Sequence, residues 1–308
     1  MKFTWHKDDS TKETVKHFLT QQGVSHRMLS TLKHGQGRVL VEKKRVQLTE
    51  TIQMPTAVTL IMEPEKPDQN VPESDGPLTI LYEDSNWLVV DKPAGLTSVP
   101  GPSNRTDTLV NRVKGQLKRQ GSKDLVPHVL TRLDRFTSGL VLVGKHRFAQ
   151  GLLNKQLETK QVQKTYFALV GGSLEKDHDL IDQPLQRAQG SFAQEVAVTG
   201  KKAVTEYWVT RRFGPQATLT KVKLHTGRTH QIRAHFAYLG HPLLGDELYG
   251  GALNYGIKRQ ALHAAKLSFI DPFTGQKLTF TSPIPADLQA VLADFEHSAK
   301  DQHSASKN

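Results

Sequence analysis

Hydrophobic and polar positions divide the chain into two unequal stretches separated by a segment with no period. In the first stretch Val15, Phe18 and Leu19 recur at helical spacing until Gly23 stops the run, and Ser25 then stands where it can cap a second helix carrying Met28, Leu29 and Leu32. After Gly35 and Gly37 the period changes to two. "RVLVEKKRVQL" alternates about a basic turn at Glu42 to Lys44, which predicts a hairpin. From 63 to 77 the sequence "EPEKPDQNVPESDGP" is acidic, proline-rich and aperiodic, the pattern of a solvated linker. Strands dominate beyond it. "ILYEDSNWLVVDKPAGL" predicts two strands about a turn at Asp84 to Asn86, and "KTYFALVGG", "AVTEYWVTRRF", "ATLTKVKLHTG" and "KLTFTSPIP" are alternating or apolar runs bounded by Gly and Pro. Helices are predicted at Leu109 to Gln120, Ala149 to Leu157 and His230 to Leu239, the last with Ile232, Phe236 and Leu239 on one face before Gly240.

These elements predict an α/β protein of the α+β kind, with a mixed, mainly antiparallel sheet and a small N-terminal α/β module. The expected boundaries are 12–62 for the module, 63–77 for the linker, 78–293 for the main domain and 294–308 for a polar, disordered tail.

Composition narrows the chemistry. The 308 residues are 37% hydrophobic, enough for a sizeable core, and carry a formal net charge of +11. Such an excess points to a polyanion, nucleic acid foremost. There is no cysteine, so disulfides and thiolate chemistry are excluded. No apolar run approaches the roughly 20 residues that span a bilayer, and Met1 to Thr11 lacks the apolar core of a signal peptide. The expected location is the cytoplasm, and the expected state a monomer.

No GxxxxGK[ST] phosphate loop, HExxH helix or GxSxG elbow occurs. His225, His230, His235 and His241 are not spaced to share a helical face at i, i+4, so neither a metal nor another cofactor is expected. Arg27, Lys33, Arg38, Lys43, Lys44 and Arg45 fall on the second helix or the hairpin, as one cationic face or as solvated charge. Three stretches are polar where a strand-rich core would want apolar residues: "RLDRFTSG", "KTYFALV" and "HTGRTHQIRAH". Taken singly, Asp134 could be a turn acid, Tyr166 a cross-strand aromatic and Arg228 a surface charge before a helix.

Taken together they closely resemble the RluA-type family of pseudouridine synthases. "RLDRFTSGLVLVGK", "KTYFALVGG" and "LHTGRTHQIRAHFAYLGHPLLGDELYG" carry the likeness from about Leu78 to Leu292, and "DKPAGL" at Asp91 to Leu96 is similar to that family's opening motif. "GVSHRMLSTLKHGQGRVLVEKKRV" resembles the S4 RNA-binding module over Lys12 to Met62, with Glu42 where an asparagine is common.

The resemblance implies an RNA uridine isomerase without cofactors, in which the N1–C1′ bond breaks, the base turns and C5 is joined to C1′. It implies Asp134 as the catalytic carboxylate, Arg228 as its cationic partner, and Tyr166 as the aromatic that stacks on the uracil and takes part in proton transfer from C5. Arg132 is implied to fill the space a flipped nucleotide leaves, with Thr131 before it where histidine is common. Leu224 and Leu262 are candidates for the uracil pocket, and Arg135 and Arg233 for phosphate contacts. Large-subunit ribosomal RNA is the expected substrate, with transfer RNA second. A non-catalytic RNA-binding assembly factor would lack the acid, and a base-excising glycosylase would release uracil.

Overall fold

A computed structural model describes residues 1–102 and 104–305. The N-terminal part comprises β1 (Lys2–Lys7), β2 (Glu13–Thr14), α1 (Val15–Gln21), α2 (His26–Lys33), β3 (Gly37–Val41), β4 (Lys44–Val46), β5 (Thr51–Ile52) and β6 (Thr56–Met62). Both helices start as their sequences require: Thr14 accepts from the His17 amide and Ser25 from the Met28 amide. Their apolar faces, with Phe18, Leu19, Met28 and Leu29, cover Val39, Val58 and Leu60 of a sheet ordered β1-β6-β3-β4. The module therefore begins ten residues before the expected position 12, because "KFTWHK" pairs antiparallel with β6. The β3–β4 turn places Glu42 and Lys43 at φ 47° and 68°, and the Glu42 carboxylate is occupied by Thr56 Oγ1 and the Ala57 amide, each at 2.8 Å.

The main domain follows as β7 (Thr79–Glu83), β8 (Trp87–Lys92), α3 (Leu109–Arg119), β9 (His128–Val129), β10 (Ser138–Gly144), α4 (Arg147–Glu158), β11 (Gln163–Gly171), β12 (His178–Asp182), β13 (Leu185–Arg187), β14 (Gln194–Val196), β15 (Val204–Phe213), β16 (Ala217–Leu224), α5 (Gln231–Tyr238), β17 (Leu262–Ile270), β18 (Lys277–Thr281) and α6 (Ala286–Ala305). A ten-stranded sheet runs β12-β15-β16-β11-β17-β10-β8-β7, with β18 beside β17 and β9 beside β10. β10 and β17 are parallel, and every other pairing in this sheet is antiparallel. The uninterrupted apolar run at Leu140 to Val143 now has its reason. Val141 and Val143 face α3 on one side, while Leu140 and Leu142 face α4 on the other, so the strand is dry on both faces.

Two further expectations are corrected. The segment at 63–77 connects the two parts but is not a free linker. Pro72 and Val71 carbonyls accept from Asn111 and Lys114 of α3 at 2.7 and 2.5 Å, Ser74 bonds Asp107 at 2.7 Å, and Glu65 pairs with His128 at 2.6 Å. Prolines leave carbonyls without a paired amide beside them, and the polar side chains of α3 supply the donors. The tail expected to be disordered over 294–308 is helical to Ala305, because Leu288, Val291 and Phe295 bury against Leu169, Phe213 and Ala217. Residues 306–308 lie outside the described residues.

The two parts also share a core, since Phe3 packs on Phe148 of α4 at 4.6 Å and on Phe273 of the β17–β18 loop at 5.9 Å. Buried His146, the N-cap of α4, borders this cluster. Its Nδ1 accepts from the Ala149 amide at 3.1 Å, and its Nε2 meets Asn86 Oδ1 at 3.1 Å. Burial pushes its pKa down to about 4, so the folded state holds it neutral. A lowered histidine pKa means that the unfolded chain takes up the proton first as pH falls. The contribution is full above about 6.5 and is lost as pH falls to 4, about 3 kcal/mol in all. Denaturant unfolding at about pH 7 and pH 4.5 should show His146→Asn, which keeps a cap, losing less stability on acidification than wild type. Equal losses would show that His146 titrates normally.

Candidate active site

The parallel junction sets the site. A row across the sheet runs Val222, Tyr166, Ala264, Gly139, Lys92 on β16, β11, β17, β10 and β8. Small residues occupy its middle because the strands approach closely there. A Cβ on Gly139, at φ 111°, would lie 2.3 Å from the Ala264 carbonyl oxygen. Immediately before β10, the loop 130–137 rises from this junction and carries Asp134.

That loop is clamped from several directions. Ser98 Oγ donates to the Leu133 carbonyl at 2.6 Å and accepts from the Leu133 amide at 3.1 Å. Lys92, 1% exposed, donates to the carbonyls of Pro93, Leu96 and Arg135 at 2.9, 2.8 and 3.1 Å. Burial drives its pKa down to about 7 while the Asp134 charge works in the opposite direction. Its three carbonyl acceptors match the donors of an ammonium, and they tie the "DKPAGL" loop to the Asp134 loop. Thr131, buried at the wall of the groove, has its hydroxyl occupied by the Leu142 amide, from which it accepts at 2.9 Å.

Opposite Asp134 stands the first turn of α5. His230, the N-cap, sits at φ 53°, and Gln231 bonds the Val204 carbonyl, Thr205 and Thr226, which fixes the helix on β15. From this turn Arg233 reaches Asp134: Nη1 lies 3.4 Å from Oδ2. The same guanidinium forks onto Asp246 at 2.6 and 2.8 Å, with Arg233 6% and Asp246 1% exposed. Burial works against the charge of Arg233, but the Asp246 bonds outweigh it and hold the pKa above its ordinary value. His230 Nε2 is 3.9 Å from Asp134, and burial lowers its pKa despite that acid. Tyr249 lies under Arg233 at 4.9 Å and also meets His230 at 3.2 Å.

Arg228, expected beside Asp134, is elsewhere. It lies in the bend before α5, exposed, and its Nε donates to the Lys202 carbonyl at 3.0 Å. It lines the mouth of the cavity, while the cation on the acid is Arg233, placed by sequence among phosphate contacts. Asp246 was not identified from the sequence at all. The available signal was an acid inside the glycine-bracketed turn "GDELYG" in the same motif as Arg233.

Asp134, Tyr166, Leu224, Leu262, Arg228 and Arg233 line one cavity of about 60 Å³. Tyr166 is 3% exposed and its hydroxyl has no protein partner among the described residues. The cavity adjoins a groove of about 570 Å³ whose charged lining is Arg132, Arg135, Lys160, Lys164 and Arg228 against the single acid Asp134. Arg132 is exposed. The arrangement can admit a planar base against a ring, hold the phosphates of the strand that carries it and present one anchored carboxylate.

Comparison with known proteins agrees with that capability. Residues 86–238 match the family model for RNA pseudouridylate synthase. The RNA pseudouridine synthase YjbO of Bacillus subtilis is 35% identical over 92% of this chain and 100% of its own length. This chain belongs to the RNA pseudouridine synthase family. Ribosomal large subunit pseudouridine synthase D of Xanthomonas campestris is 40% identical over 71% of this chain and 70% of its own. Among solved structures, human RNA pseudouridylate synthase domain containing 1 shares the fold at a TM-score of 0.58 and 24% identity, covering 71% of this chain and 89% of its own. The protein is therefore a pseudouridine synthase, an isomerase acting on RNA, with the mixed, mainly antiparallel fold the sequence predicted. No helix among the described residues is long and apolar enough to cross a membrane.

The N-terminal cations are all exposed, but they do not share one face. Val39 points to the core, so Arg38, and Arg45 opposite Leu40, lie on the far side of the sheet from α2, which carries Arg27 and Lys33. Lys43 and Lys44 occupy the hairpin tip between them.

Proposed function

We propose that this pseudouridine synthase modifies large-subunit ribosomal RNA, with Asp134 as its catalytic carboxylate. The observation that carries the assignment is that Asp134 is the one carboxylate lining the cavity and groove among the described residues, clamped at the sheet junction and paired with Arg233. The flipped uridine enters with its uracil against Tyr166, Leu224 and Leu262 and its ribose toward Asp134. The Arg233 guanidinium favours the ionised acid, and Asp246 holds that guanidinium in place. The N1–C1′ bond breaks at the carboxylate, the base turns within the apolar walls, and the C5–C1′ bond forms. The C5 proton then leaves, and N1 ends protonated, so atoms balance without an oxidant or metal. The Tyr166 hydroxyl, without a protein partner among the described residues, takes part in that transfer.

Arg132 offsets part of the few kcal/mol of unstacking by filling the vacated space. The N-terminal module, S4-like in its helix–helix–hairpin order, adds Arg27, Lys33, Arg38, Lys43, Lys44 and Arg45 as phosphate contacts on two sides of one small domain. Ribosomal RNA is favoured over transfer RNA because the Xanthomonas relative, and one from Xylella fastidiosa at 38% identity over 83% of this chain, carry that substrate in their names. Mapping pseudouridines in cellular RNA with and without the protein should show sites lost from large-subunit RNA. Losses confined to transfer RNA would overturn the substrate.

A further inference from the structure

The ten-stranded sheet is covered on its rear face by α4 at one end and α6 at the other. Between them a concavity of about 640 Å³ stays open over β15, β16, β11 and β17. Strand register orders its side chains. One row runs Lys266, Thr165, Lys223, Glu206, and the next, two residues further along, runs Phe167, Lys221, Trp208, His178. The rings and cations interleave: Lys221 lies 5.4 Å from the Trp208 centroid, and His178 stacks on Trp208 at 5.0 Å and 9°. Rows are about 6.8 Å apart and neighbouring strands about 4.8 Å.

Charge on this face is one-sided. Lys221 and Lys266 are exposed, Lys164 and Lys223 half-buried, and none of the four makes a close ion pair among the described residues. Glu206, the acid in the rows, bonds His178 at 3.0 Å and His225 at 2.7 Å and also feels the charge of Lys223 opposite it, so it offsets one lysine in part and leaves Lys221 and Lys266 open. Lys221 and Lys223 stand two residues apart on β16, and Lys266 lies two strands from Lys223 with Thr165 between, so a chain of anions laid across the rows can meet all three. Lys164 lines both this concavity and the catalytic groove, so the two basic surfaces are continuous around the end of β11.

We propose that this rear sheet face is a second RNA surface, which takes an extended single strand leaving the catalytic groove past Lys164. Lys221, Lys223 and Lys266 hold its phosphates, and the half-buried Phe167 ring between Lys221 and β17 offers a base its stacking surface. The inference rests on the RNA-modifying reading above, extends it from the target uridine to the flanking strand, and makes recognition reach beyond the cleft.

The test uses the full chain, fluorescein-labelled oligouridylates of about 4 and about 30 nucleotides, and a variant carrying Lys221→Gln, Lys223→Gln and Lys266→Gln. The short probe fits the groove and should bind both proteins alike. For the long probe, the variant's slope of log affinity against log salt should be shallower by about 2, from three contacts at about 0.7 each. With long RNA substrates its KM should rise while kcat stays. The triple arginine variant should keep the wild-type slope, which separates charge from misfolding. Equal slopes for wild type and the glutamine variant, or loss in the arginine variant as well, would overturn the proposal. Polyglutamate bound by wild type as tightly as the long oligouridylate, through the same lysines, would assign the face to an acidic protein instead. Pseudouridine formation by wild type is read separately, so failure of the isomerase reading is not confused with failure of this one.

Discussion

Asp134→Asn is expected to fold, to bind RNA and to form pseudouridine at a rate lower by about four orders of magnitude or more, the size of loss seen when the central group of an active site is removed. The amide is isosteric with the carboxylate, so the Ser98 and Lys92 clamps on the loop remain. Arg233 keeps its fork on Asp246, and no buried charge is stranded. What disappears is the charge in the cavity. Single-turnover assays with saturating RNA, alongside a binding curve, separate chemistry from affinity. Turnover within about tenfold of wild type would remove Asp134 from the reaction.

The second large effect lies at Arg233 and distinguishes it from Arg228. Arg233→Met keeps length and loses charge, leaving Asp246, 1% exposed, without a partner; breaking a buried pair in this way costs about 3 to 5 kcal/mol. The carboxylate of Asp134 loses its cation in the same step, so turnover should fall together with stability. Adding Asp246→Leu removes the stranded charge and should return most of the stability, because replacing both partners of a buried pair is often near neutral. Turnover should stay lost in that double variant. Recovery of activity along with stability would mean that Arg233 only supports the fold. Arg228→Lys should change kcat little and act mainly on RNA affinity, since its guanidinium is exposed and holds one carbonyl. Unfolding curves and single-turnover rates on these variants decide between the two arginines.

Local physics made much of this protein legible without coordinates. Ser25 caps α2, the alternation around Glu42 is a hairpin, and the helices at 109–120, 149–157 and 230–239 occur as α3, α4 and α5 to within two residues, because caps, period and glycine stops act over a few positions. Motif likeness brought out Asp134 and Tyr166, which the fold places on one cavity. Position along the chain could not decide which arginine meets an acid 99 residues away. That depends on the left-handed His230, which starts α5 so that residue 233, within the first turn, faces the junction while residue 228 remains in the bend. Likewise "EPEKPDQNVPESDGP" reads as solvated until α3 supplies donors for its carbonyls, and 294–305 reads as a polar tail until the sheet offers Phe295 a surface. Sequence by itself determined most of the elements and singled out the side chains proposed to react, since caps, period and motif likeness act over short stretches. Tertiary structure alone decided which charges are paired, which faces are covered and which lysines stay open, because each depends on groups that only the folded chain brings within a few ångströms.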